Sequence, residues 1–238
     1  MINPLKTGNP EKPSLPDIYT RYYMQRLRIR FRRGEELKYI SHLDLMRLWQ
    51  RVLNRAGIRL AYSEGFNPHP RMSLAAPLAL GVTSQAELMD IVLAKWSSPH
   101  SFTAAVERQL PRGIEILQTY NMALTLPSLQ SQVTFAEYSV EVKTDENREA
   151  VETALKSLLD LESLPWQHQR DTGPRHYDLR KLINNLWLID WRPGYTGIGM
   201  KLRCDSNGSG RPEQVAVALG FKSYPESIHR TALILKTN

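Results

Sequence analysis

The chain has 238 residues, 42% of them hydrophobic and 23% charged, with a single cysteine, Cys204. That composition excludes disorder as the default and rules out an intramolecular disulfide or a cysteine metal cluster, while leaving enough apolar residues for one large domain or two small ones. A formal net charge of +7 favours an anionic partner, with nucleic acid ahead of a membrane because no long apolar span is present.

Residues 1–20 are rich in proline and polar residues and lack the apolar stretch of a signal peptide, so a flexible leader and a cytoplasmic, reducing location are expected. Residues 25–33 read QRLRIRFRR, alternating arginine with Leu27, Ile29 and Phe31. The pattern predicts a strand with one buried face and one arginine face. Arg26, Arg28, Arg30 and Arg32 would then stand about 7 Å apart on one side. Such a ladder repels itself unless bound anions or nearby carboxylates answer it.

The next element is a helix. Ser41 and Asp44 have capping-box spacing, which starts the helix at His42. Leu45, Leu48, Trp49, Val52, Leu53 and Ala56 recur on one face, and Gly57 occupies the C-cap region. Arg47, Arg51 and Arg55 therefore share the outer face, where they form either a phosphate-tracking row or a solvated helix surface with Arg47 paired to Asp44. Residues 21–71 hold twelve basic residues against four acidic ones, so the first half carries the positive charge.

Residues 58–62 alternate like a strand, and then SEGFNPHPR breaks all periodicity. Pro68 and Pro70 fix their own φ and bias Asn67 and His69 toward extended backbone, while Gly65 permits a sharp turn. A stiff loop presenting Glu64, Gly65, Phe66, Asn67, Pro68, His69, Pro70 and Arg71 is a candidate functional edge, because pre-ordered groups lose little entropy on binding.

Beyond the loop, residues 87–96 read as a strand, 99–110 as a helix and 114–120 as a strand, completing a ferredoxin-like βαββαβ order. Residues 121–132 read as a linker. The same plan recurs afterwards: strand 134–143, helix 145–159, strand 164–169, a short helix over 178–184, paired strands 186–191 and 199–204, helix 212–219 and a closing strand 229–236. The predicted fold is α+β, two tandem ferredoxin-like plaits with antiparallel sheets, spanning residues 21–126 and 127–238. In the second half, Gly208–Arg211 ahead of Pro212 is either a plain turn or a phosphate-holding one. Arg175, His176, Arg180 and Lys181 form another basic cluster. Trp166, Trp187 and Trp191 read as core residues rather than base-stacking ones.

The run SHLDLMRLWQRVLNRAGIRLAYSEGFNPHPRMSLAAPLALGV, residues 41–82, resembles the signature of the radical SAM-linked protein family, a bacterial domain of unknown function. Weaker echoes are YDLRKLI (177–183), GRPEQV (210–215) and IHRTAL (228–233). The resemblance implies association with a radical SAM protein as partner and brings no established activity. Cys204 alone cannot supply the cysteine ligands of an iron–sulfur cluster, so the chain is not itself a radical SAM enzyme.

These readings converge on an accessory protein, without cofactor or metal, that binds RNA or another polyanion through Arg26, Arg28, Arg30, Arg32, Arg47, Arg51, Arg55 and Arg71. A second reading is a metal-independent RNA-processing or RNA-modifying enzyme using His42 and His69, with His42 suited to a general base. A third is a pure protein-interaction module that docks through the 64–70 loop.

Overall fold

The computed structural model describes residues 24–170 and 173–236; the expected leader lies outside them. In chain order the first half contains β1 (Gln25–Arg33), α1 (His42–Arg55), β2 (Met72–Leu74), β3 (Thr83–Leu93), α2 (Pro99–Glu107) and β4 (Ile114–Met122). A single-turn helix α3 (Leu129–Gln132) leads to β5 (Val133–Thr144) and α4 (Arg148–Asp160). Then come β6 (Pro165–Arg170), β7 (Gly173–Asp178), β8 (Ile183–Arg192), β9 (Gly194–Asp205), β10 (Gly208–Ser209), α5 (Pro212–Ala218) and β11 (Ser227–Leu235).

Each half is a plait. The strands of the first run β4-β1-β3-β2 and those of the second β11-β5-β9-β8, which is the same arrangement twice. The two sheets are continuous, because β11 also pairs with β3 in parallel through His229↔Thr83 and Arg230↔Ser84. β2 uses a different stretch of the same β3 edge, opposite Met89–Ile91. The expected antiparallel plaits therefore hold, fused at a short parallel seam.

Paired residues on neighbouring strands project from one face, so the pairs Arg33↔Ser84, Ser84↔Arg230 and Arg230↔Tyr138 place α1, α2, α4 and α5 on one side, while α3 packs with Leu88 on the other. In the first half, Leu27, Ile29 and Phe31 pack under Leu45, Trp49, Val52 and Leu53 of α1 and Phe102 and Val106 of α2. The Trp49 ring meets Phe31 edge-on at 5.0 Å. In the second half Val140, Val142, Ile198 and Met200 lie under Val151, Leu155 and Leu158 of α4 and Val215 of α5.

Several elements differ from expectation. Residues 58–62 make only isolated bridges, Leu60 to Leu93 and Tyr62 to Pro70, and the second strand of the plait is β2, after the loop. Residues 165–170 leave the main sheet and pair with β7 in a separate hairpin. The helix expected over 178–184 shrinks to a 3₁₀ turn at Arg180–Leu182. The expected linker is part of the core: Leu129 is fully buried with Val133 and Ala75.

At the seam, Arg230 is fully buried and Glu87 almost so. Arg230 donates from Nε to Glu87 Oε1 at 3.0 Å, and from its Nη atoms to the carbonyls of Ala76 at 3.2 Å and Pro77 at 3.4 Å. Desolvation works against the buried charge, yet Glu87 holds the Arg230 pKa above its ordinary value. Glu87→Gln leaves that cation unanswered and lowers the unfolding free energy by about 3–5 kcal/mol, read from urea denaturation.

Next to it, His229 Nδ1 lies 2.7 Å from Thr83 Oγ1. Burial, then Arg32, lower its pKa from the ordinary 6.5, with Glu35 opposing. The folded state thus disfavours the imidazolium. The contribution is present above pH 6.5 and is lost as pH falls through the depressed pKa. NMR titration of the His229 ring should give the lowered midpoint, with the urea midpoint declining over the same acidic range.

Candidate nucleic-acid interface

Helix α1 begins where Ser41 Oγ accepts the Asp44 backbone N–H at 3.1 Å. The Ser41 hydroxyl donates in turn to Asp44 Oδ2 at 2.7 Å. This bond, then Arg47 and Arg51, hold the Asp44 carboxyl below its ordinary pKa. The helix ends at Gly57, whose φ of 70° is a left-handed conformation that favours glycine. With Leu45, Trp49, Val52 and Leu53 turned inward, Arg47, Arg51 and Arg55 are exposed along the outer face.

The three arginines are differently engaged. Arg47 meets Asp44 at 3.2 Å, an exposed pair of small energetic consequence. Arg51 has no ion pair among the described residues. Arg55 donates to the Gln109 carbonyl at 3.2 Å, which brings the row beside Arg108 and Arg112, both exposed.

The arginine ladder on β1 divides. Arg26 and Arg28 are buried and both paired to Asp90, Arg26 Nε at 2.8 Å and Arg28 Nε at 2.7 Å. Arg26 also donates to the carbonyls of Leu126 at 2.7 Å and Pro127 at 2.8 Å, so the segment leading into α3 closes over this face. The expected four-membered anion face is corrected here: carboxylate and carbonyl oxygens already satisfy two of its members. Arg32 is exposed and pairs with Glu115 at 3.0 Å. Arg30 is half-buried and has no ion pair among the described residues. Arg71 is exposed, its Nη1 3.5 Å from Met24 Sδ.

The 64–70 loop is pinned at its base. Ser63 N donates to the His69 carbonyl at 2.9 Å and His69 N to Ser63 Oγ at 3.0 Å. Arg71 N to the Ala61 carbonyl at 2.8 Å extends the clasp. Glu64, Gly65, Phe66, Asn67, Pro68 and His69 are exposed, Pro70 is half-buried, and Phe66 stands wholly in solvent. Gly65 takes φ 119° at the tip.

His42, in the first turn of α1, is half-buried, and His69 is exposed. Neither imidazole has a hydrogen bond to another group among the described residues, and His42, His69 and Glu64 do not converge as a metal-ligating group there.

Sequence reasoning missed Asp90, whose signal was a lone carboxylate in the apolar run LMDIVL of β3. It also misjudged Trp187. That ring lies over Gly199, where a Cβ would come within 1.9 Å of it, and is more than a third exposed.

Together these features define an α+β double-plait protein with a basic helix row and a clasped loop on its first half. The chain belongs to the family described as an uncharacterized protein conserved in bacteria, DUF2344, whose model matches residues 26–212. No curated protein matches the sequence. Among solved structures, a Cbf5–Nop10–Gar1 complex shares 9% identity over 87% of this chain and 48% of that one, with a TM-score of 0.49. An archaeal box H/ACA sRNP Nop10–Cbf5 complex shares 9% over 86% and 46%, at 0.43. An H/ACA RNP bound to a substrate RNA containing 2′-deoxyuridine shares 10% over 91% and 49%, at 0.44. The chain spans about half the length of these proteins, and likeness at this level says nothing of what it binds. No helix among the described residues is long and apolar enough to cross a membrane.

Because the loop tip packs against nothing among the described residues, Phe66→Ser should change the unfolding free energy by less than about 0.5 kcal/mol. Trp49→Ala, in the core beneath the arginine row, should cost about 3–5 kcal/mol. Urea denaturation of the two variants separates presentation from support.

Proposed function

We propose that this protein is a non-catalytic accessory that binds RNA along α1 and presents it to a radical SAM partner. The observation that carries the reading is the exposed row Arg47, Arg51 and Arg55, with Arg51 in no ion pair among the described residues and Arg55 leading to Arg108 and Arg112. Residues four apart on a helix stand one above the other, so the row can follow successive phosphates. Arg71 is a further exposed arginine without an ion pair among the described residues, whereas Arg30, half-buried opposite Leu88, lies on the face of the sheet away from α1 and off this row.

The partner rests on the resemblance of residues 41–82, and the clasped loop favours it as the docking element. Phe66 is a large apolar side chain held in water on a base of backbone hydrogen bonds, and an aromatic anchor loses little on burial in a partner's pocket.

Single-stranded RNA binding measured over a salt series tests the first part. Reversing Arg47, Arg51 and Arg55 to glutamate should weaken binding at least about tenfold and flatten the log–log salt slope by roughly 2, since each lost phosphate contact is worth about 0.7. An unchanged slope in a folded variant removes α1 from the interface. For the second part, Phe66→Ala should abolish co-purification with the radical SAM protein while leaving RNA affinity unchanged.

A further inference from the structure

The second half gathers its own cations around a cavity that the RNA reading does not use. The glycine turn and the basic cluster, separate in sequence, meet there. A cavity of about 290 Å³ is lined by His168, Arg175, Lys181, Arg203 and Arg211 together with Gly208 and Ser209. It shares Arg175, Asn207, Ser209 and Arg211 with a groove of about 1120 Å³ whose other residues include Leu78, Leu80 and Tyr224.

The charge there is unbalanced. Among the described residues Asp178 is the one carboxylate lining the smaller cavity, and its Oδ1 already accepts the backbone N–H groups of Leu164 at 2.9 Å and Arg180 at 3.0 Å. Lys181 comes no nearer to Asp178 than 3.9 Å. Arg203 and Arg211 approach Asp205 and Glu213 only at 3.7 Å, beyond hydrogen-bond reach. Arg175 lies over the Tyr177 ring, 5.7 Å from its centroid. Cations that share a cavity while making only long ion pairs keep donors available for an anion.

The turn between β9 and the helix is held in place. Gly210 N donates to the Arg203 carbonyl at 2.9 Å. A Cβ at Gly210 would lie 2.9 Å from Leu202 Cβ and 3.1 Å from the Leu182 carbonyl oxygen, so the chain can pass only as glycine. At the far wall, Leu80 and Tyr224 are exposed apolar surface. Arg175, Arg211 and Tyr224 line the same groove, which opens the basic end and the aromatic side chain to one ligand.

We propose that this basin is a nucleotide site, with phosphates taken by Arg175, Lys181, Arg203 and Arg211 and the base laid against Tyr224 and Leu80. The cavity and the groove share four lining residues, so one ligand can reach from the basic cavity into the groove, and a planar base on an aromatic ring with phosphates among arginines uses both ends. The site is independent of α1, so its failure and the failure of the RNA reading are distinguishable.

The test is calorimetric titration of the full-length protein with ADP at low salt, with adenosine and inorganic phosphate as separate arms. ADP should bind at least about tenfold more tightly than either fragment. Arg175→Gln combined with Arg211→Gln should lower ADP affinity about tenfold or more, the loss expected when charge-assisted hydrogen bonds are removed. Lys181→Gln, a change at a side chain 77% exposed, should weaken ADP without touching the fold. Tyr224→Ala should weaken ADP and leave phosphate binding as it was, and Arg51→Glu should leave ADP binding unchanged. Equal affinity for ADP and phosphate, or full ADP affinity in the double variant, would overturn the assignment, as would no heat from ADP with the unaltered protein.

Discussion

The buried pair between Arg230 and Glu87 is the constraint on which the architecture turns. A guanidinium with no solvent contact must have every donor answered, and here the answers come from three places: the Glu87 carboxylate of β3, and the carbonyls of Ala76 and Pro77 in the crossing segment. The arginine belongs to the last strand of the second plait and all of its acceptors to the first. Slipping β11 by one residue along β3 would turn Arg230 to the opposite face and strand both charges. A seam of only two paired positions is thereby held in one register. The same charge bears on Tyr138, whose hydroxyl burial pushes up to about 12 although Arg230 opposes the shift, so the phenol stays neutral where the two halves meet.

The molecule's positive charge is less available than its net value implies. Arg26, Arg28 and Arg230 are spent on Asp90 and Glu87, and Arg33 donates to the carbonyls of Leu37, Lys38 and Ile40. Arg180 likewise holds the carbonyls of Leu159 and Ile183. These arginines bind the protein's own oxygens, and structure alone separates them from cations that face outward. Among the described residues, arginines that make no close ion pair include Arg51 and Arg55 on α1 and Arg175 beside the β9–β10 turn.

Local chemistry made part of this legible beforehand. The capped helix, its buried stripe and the alternation of β1 each follow from spacing over a few residues, and the structure reproduces them. The doubled βαββαβ order was also readable, because each strand and helix of the sheet carries its own period. Long-range pairing was not. The ladder's partner Asp90 lies more than sixty positions from Arg26 and Arg28, so the sequence could pose the question of what answers four arginines but not answer it. Residues 58–62 alternate as a strand should, yet β3 has room beside Met89–Ile91 only for the three residues of β2. Proline and polar residues made 121–132 look like a linker, although Leu129 is buried and the carbonyls before it satisfy Arg26. Trp187 was misread for a related reason: nothing local announces that a tryptophan will lie flat over a glycine on the neighbouring strand.

The shared edge of β3 also bears on how the molecule is made. During synthesis the first plait can assemble its core and pair β2, but the outer edge of β3 at Thr83 and Ser84, and the Glu87 carboxylate, await a strand about 145 positions later in the chain. Until that strand emerges, an acidic, unpaired sheet edge stays open to water. Contacts of such separation slow folding, and an open edge invites pairing with other chains. A carboxylate at the gap is one of the features that discourage such pairing, so Glu87 can guard the nascent edge before it holds Arg230.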